Sequence, residues 1–157
     1  MTKIILILLG VFIVQCVSEA EIKREKEIIA RKLPIIVRHH VSRPNSASGI
    51  DLIVHYKNLS KKDIKYAVFK FIPYNNVGDI QKSSIDGESE KSVKDVGPIK
   101  AGENKGNNRW GTVWYNYSII CSQLKEVKII YMDNEEITIK NPNDILSSEQ
   151  EFCPPKI

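Results

Sequence analysis

The chain has 157 residues, 42% hydrophobic and 27% charged, with three cysteines and a formal net charge of +4. Such a composition excludes a disordered polar tail and fits one globular domain. Lysines and acids are interspersed along the chain, which excludes the concentrated basic face that a nucleic-acid binder needs.

At the N-terminus, Lys3, the apolar run from Ile4 to Val17 and the close Ser18-Glu19-Ala20 supply the three parts of a cleavable export signal, with the cut expected after Ala20. The run is interrupted by Gln15 and falls short of the roughly 17–25 apolar residues that span a bilayer. A second reading puts a lipid on Cys16, as in bacterial lipoproteins, although Gln15 stands where the processing enzyme prefers a small side chain. Any membrane contact is therefore expected only through the signal or that lipid. Cleavage after Ala20 would remove Cys16 and leave Cys121 and Cys153, an even number in an exported chain, which predicts one disulfide. Closing that loop is worth about 3–4 kcal/mol in the chain-entropy account.

Residues 21–34 read as a charged helical linker. Ile22, Ile28, Ile29 and Leu33 are its only apolar points, too few for a full amphipathic stripe, and Pro34 ends it. From there the signals are those of strands. Ile35–Val41 is β-branched and short, and Ser42–Gly49 is a loop. Ile50, Leu52, Val54 and Tyr56 then alternate with Asp51, Ile53, His55 and Lys57, the period of a half-buried strand. The stretch Ile64–Ile72 is apolar on both phases, as a central strand would be. Weaker strands are expected over Ile80–Ile85 and Ser92–Val96, with a glycine-bearing loop over Ala101–Asn108. Trp110–Cys121 reads as the longest aromatic strand. Val127–Met132 pairs with Glu135–Ile139 across Asp133-Asn134 as a hairpin.

Short strands with turn signals every eight to twelve residues predict an all-β fold, an immunoglobulin-like sandwich of about seven to eight antiparallel strands. A small closed barrel is the alternative. The domain occupies residues 35–140, with a tail over 141–157. Its core is expected from Tyr66, Val68, Phe69, Phe71, Val113, Tyr115, Val127, Ile129 and Tyr131.

The succession Phe71-Ile72-Pro73-Tyr74-Asn75-Asn76-Val77-Gly78-Asp79, Gly97-Pro98-Ile99, Trp110-Gly111-Thr112-Val113-Trp114-Tyr115-Asn116 and Ile130-Tyr131-Met132-Asp133 resembles an uncharacterised domain of exported bacterial proteins. The resemblance covers about Ser46 to Ile139. It implies an immunoglobulin-like or fibronectin-like sandwich outside the cytoplasm and transfers no catalytic residue. Asn134-Glu135-Glu136 departs from it, standing where a glycine usually follows.

The sequence offers no catalytic, metal or cofactor motif. His39, His40 and His55 lack neighbouring ligands at metal spacing, and because His39 and His40 alternate on a strand, only one of them could join His55. There is no Gly-x-Ser-x-Gly, and Gly102-Glu103-Asn104-Lys105-Gly106 lacks the Gly-Lys-Ser/Thr ending of a phosphate loop. The acidic stretches at Asp86-Gly87-Glu88 and Asp133–Glu136 lack the spaced oxygens of a calcium loop. Trp110, Trp114 and Asn116 share one phase of their strand while Tyr115 and Tyr117 share the other. If the tyrosine phase is core, Trp110, Trp114 and Asn116 form an outward surface able to stack on a glycan or anchor a protein. Asn58-Leu59-Ser60 and Asn116-Tyr117-Ser118 fit the glycosylation sequon. The expected function is a non-catalytic, exported binding module of the cell envelope or extracellular space, with a protein or glycan partner. The alternative is a secreted effector or inhibitor acting through the 101–109 loop, and an enzyme is the weakest reading.

Overall fold

The computed structural model describes residues 19–148 and Cys153. The expected leader, with Cys16, lies outside the described residues apart from Glu19 and Ala20. Helix α1 (Glu19–Ala30) precedes strands β1 (Ile35–Pro44), β2 (Ile50–Asn58), β3 (Ile64–Tyr74), β4 (Lys91–Ile99), β5 (Asn104–Trp114), β6 (Cys121–Tyr131) and β7 (Glu136–Ile139), and a 3₁₀ turn follows at Pro142–Asp144.

All strand pairs are antiparallel, in a three-stranded sheet ordered β1-β2-β5 and a four-stranded sheet ordered β4-β3-β6-β7. This Greek-key order is that of an immunoglobulin-like sandwich in which the fourth strand has joined the sheet of the third, sixth and seventh. The alternation in β2 that the sequence shows is the reason: Ile50, Leu52, Val54 and Tyr56 are buried against Ala67, Phe69 and Phe71 of β3 and Leu124, Val127, Ile129 and Tyr131 of β6. Where the sheets meet at β4 and β5, the Tyr56 hydroxyl donates to Asp95 Oδ2 (2.6 Å), and Asn108 Nδ2 donates to the same oxygen (2.7 Å). Gly97 allows β4 to run tight against β3, because a Cβ there would sit 2.2 Å from the Ile64 carbonyl oxygen.

Several sequence expectations need correction. Tyr66, Val68 and Tyr115 are not core; they are half-exposed, since over 66–71 β3 buries the phase of Ala67, Phe69 and Phe71, and its other phase is buried only further on, at Ile72 and Tyr74 against Cys153. Ile80–Ile85 forms no strand, only a bridge between Ile80 and Tyr74 followed by a turn. The aromatic strand ends at Trp114, and residues 115–120 are a turn before β6. Most of the expected 101–108 loop belongs to β5: Asn104, Lys105 and Asn108 pair with β2. The reading of a partner-inserting loop at 101–109 loses its loop.

Nor is α1 a free tether. It buries Ile28, and Arg24 Nε donates to the Leu146 carbonyl (3.0 Å). Glu21 pairs with Arg38 (2.7 Å), Glu25 with Lys57 (2.5 Å) and Arg31 with Asp144 (3.0 Å). The tail completes the clasp. The Val37 N–H donates to the Ile145 carbonyl (2.8 Å) and the Ser147 N–H to the Val37 carbonyl (2.9 Å), so the first half of edge strand β1 is covered.

Candidate binding surface

The tryptophan face that the sequence reading turned outward is the buried one. Trp114 is 0% exposed and its indole N–H donates to the Ser89 carbonyl (2.8 Å); Trp110 is partly buried, packs its ring 6.4 Å from Phe69 and donates to the Lys94 carbonyl (3.2 Å). Trp110 and Trp114 register with Leu52 and Ile50, both inward residues of β2. Between them Thr112 takes a positive φ of 53°, rare for a β-branched residue. A buried carboxylate holds this bulge: Asp51 accepts from the Thr112 N–H (2.9 Å), from Asn45 Nδ2 and from Arg109 Nε (2.8 Å). The Thr112 N–H leads, against some desolvation, in keeping the Asp51 carboxyl below the usual carboxylate range.

Asn116 is a turn residue. Its Nδ2 donates to the Lys82 carbonyl (2.9 Å) and its Oδ1 accepts from Ser118 N–H (2.9 Å), tying the 115–120 turn to the loop before β4. The other sequon asparagine, Asn58, is 0% exposed and structural: Nδ2 reaches the carbonyls of Lys62 (2.9 Å), Ile99 (3.1 Å) and Lys100 (3.1 Å). Cys121 and Cys153 are joined in a disulfide with Cα atoms 5.8 Å apart, tethering the tail to the start of β6. Beside it a groove of about 520 Å³ runs along the seam of β1 and β6. His40 lies in that seam with Nε2 3.1 Å from the Ser122 carbonyl oxygen, and burial lowers its pKa. Ser42 and Ser122 share a hydroxyl hydrogen bond (2.5 Å). The imidazole thus meets a backbone carbonyl rather than a serine hydroxyl, an arrangement that holds strands together.

One open surface is the outer face of the four-stranded sheet over β4, β3 and β6. Register sets Val96, Tyr66 and Ile130 side by side across β4, β3 and β6, with Lys94, Val68 and Lys128 as the next row. Val96 is 61% exposed. Tyr66, Val68 and Ile130 are half-exposed. Lys94 Nζ lies 4.9 Å and Lys65 Nζ 5.6 Å from the Tyr66 ring centre, both within cation–π range. Lys128 pairs with Glu136 (2.7 Å) at the far side. The result is an apolar strip centred on one aromatic ring with ammonium groups along it. No sequence signal marked it, because Tyr66 and Val68 look like core residues in an apolar strand.

No family model matches the chain, and no curated protein matches it. Among solved structures, an X-ray structure of a hypothetical protein from Peptoclostridium difficile 630 superposes with a TM-score of 0.47 at 9% identity, over 69% of this chain and 87% of that one.

Proposed function

We propose that the protein is a non-catalytic binding module, exported to the cell envelope or beyond, that meets a protein partner through the outer face of its four-stranded sheet. The observation that carries this reading is the strip of Val96, Tyr66, Val68 and Ile130 flanked by Lys65 and Lys94. A half-exposed aromatic in an apolar patch is the kind of anchor from which interfaces draw most of their energy. The lysines favour a partner whose apolar patch has an acidic border, and they would steer its approach. Export is supported by the leader-like first twenty residues and by the disulfide, a bond that persists in oxidising compartments.

The test compares the wild-type chain with Tyr66→Ala and Val96→Glu as baits, against native-host extracellular and envelope proteins and against a glycan array. A protein retained by wild type and lost by both variants, with unchanged thermal unfolding, supports the reading. A partner bound equally by all three, or a glycan ligand indifferent to Tyr66, overturns it.

A further inference from the structure

Both ladders that flank β2 slip at the same residue, His55. On the β1 side Val37 opposes Tyr56 and His39 opposes His55, so Arg38 is an extra residue; on the β5 side Val54 opposes Asn108 but Tyr56 opposes Lys105. Val37 and Tyr56 point inward, into the core. Two residues after Val37, an unbulged strand would point inward again. The extra residue at Arg38 instead turns His39 out onto the same face as His55. Bulges re-aim side chains in this way and are enriched beside functional sites.

We propose that His39 and His55 form a two-imidazole site for a late first-row divalent ion, Cu²⁺ foremost, on the outer face of the three-stranded sheet. Their ring centres lie 5.8 Å apart at an interplanar angle of 49°. With metal–nitrogen bonds of about 2.0–2.1 Å, two rings on one ion stand roughly 5–6 Å apart, so small rotamer adjustments close the chelate. Neither ring has a hydrogen-bond partner among the described residues. His55 Nδ1 faces Gly106, where even an added Cβ would be 3.6 Å away, so no side chain crowds the ring on that side. Among the described residues no group of three or more His, Cys, Asp or Glu forms around the pair, so water or a partner's donor fills the remaining positions. Imidazole ligands with open positions suit Cu²⁺ best in the divalent series, and hard oxygen-seeking Ca²⁺ and Mg²⁺ poorly. The site lies on the sheet opposite the proposed partner face and does not depend on it.

The experiment is a Cu²⁺ titration of the full untagged chain with Cys16 alkylated, followed by calorimetry and by broadening of histidine ring proton resonances. His39 and His55 should broaden together at substoichiometric Cu²⁺, ahead of His40, which faces the Ser122 carbonyl. His39→Ala and His55→Ala should each weaken binding at least about ten-fold, since the second imidazole acts at the high effective concentration of a tethered ligand. His39 is exposed, so its variant keeps the test decisive if the His55 variant folds poorly. Broadening of His39 and His55 no faster than His40, or wild-type affinity in His39→Ala, would overturn the assignment.

Discussion

Replacing Trp114 by alanine tests the phasing of β5 directly. The indole is fully buried, beside Ile50 in the register and within the main core, with one hydrogen bond to the Ser89 carbonyl. Truncating a buried aromatic costs about 3–5 kcal/mol through lost burial and the cavity left behind. The hydrogen bond adds about 1 kcal/mol at most, because Ser89 is only half-buried and water can reach its carbonyl. With an m-value of about 2 kcal/mol/M, the urea midpoint should fall by about 2 M, read by far-UV circular dichroism so that the lost fluorophore does not matter. Trp114→Phe separates the two contributions: it keeps most of the ring volume and should lose about 1–2 kcal/mol. Trp110, only partly buried at the sheet margin, should lose about half as much as Trp114 on truncation. Equal midpoints for the two alanine variants, or a Trp114→Ala shift below about 0.5 M, would mean that the tryptophan face is not the packed one, and the register of β5 on β2 would have to be abandoned.

Asn58→Asp should cost about 3 kcal/mol or more in the same urea assay, because it turns an oxygen toward the three carbonyls of Lys62, Ile99 and Lys100 that the amide now serves. Peptide mapping after expression in a glycosylating host should find Asn58 unmodified. Reducing the Cys121–Cys153 bond, or replacing both cysteines by serine, should lower stability by at most about 3–4 kcal/mol for a loop of 32 residues, and hydrogen exchange should rise at the Val37 and Ser147 amides as the tail loosens. His40 has its pKa lowered chiefly by burial, so its contribution is complete above the unfolded value of about 6.5 and is lost as pH falls toward its lower folded value. His40→Gln should flatten that part of the stability profile measured between pH 7 and 4.5, and an unchanged slope would place the titration elsewhere.

The architecture was legible because β2, β6 and the β6–β7 hairpin obey simple alternation. Ile50, Leu52, Val54 and Tyr56, then Val127, Ile129 and Tyr131, are inward as their period implies. What escaped sequence reasoning follows from breaks in that period and from packing beyond nearest neighbours. Over residues 110–117 of the sequence both phases carry aromatics, so alternation alone cannot say whether Trp114 or Tyr115 faces the core; the choice is made across the sheet, where Trp110 and Trp114 meet Leu52 and Ile50. In β3 both phases are apolar as well, and Tyr66 and Val68 are left outside because among the described strands the second layer packs only on the other face. The linker departs from its sequence pattern for a related reason: α1 has too narrow an apolar stripe to hold itself, and it is fixed by ion pairs to Arg38 and Lys57 that lie outside its own segment.

The histidines show how much one inserted residue changes. His39 and His40 alternate as a plain strand would have them, and that much is visible in the sequence. Which of the two meets His55 is decided only at Arg38, since continuing the phase of Val37 without a bulge would send His39 inward and leave His40 on the face of His55. With the bulge, His40 goes to the β1–β6 seam and its Nε2 to the Ser122 carbonyl, while His39 comes to 5.8 Å from His55. The same insertion therefore assigns one histidine to cohesion between the sheets and the other to an open face. Deleting Arg38 should keep those assignments, because it removes only the extra residue and leaves His39 next after the inward Val37 and opposite His55. In the deletion variant the Cu²⁺-induced broadening should stay on His39 and His55, and broadening that moved to His40 would show that Arg38 is not the extra residue that presents the pair.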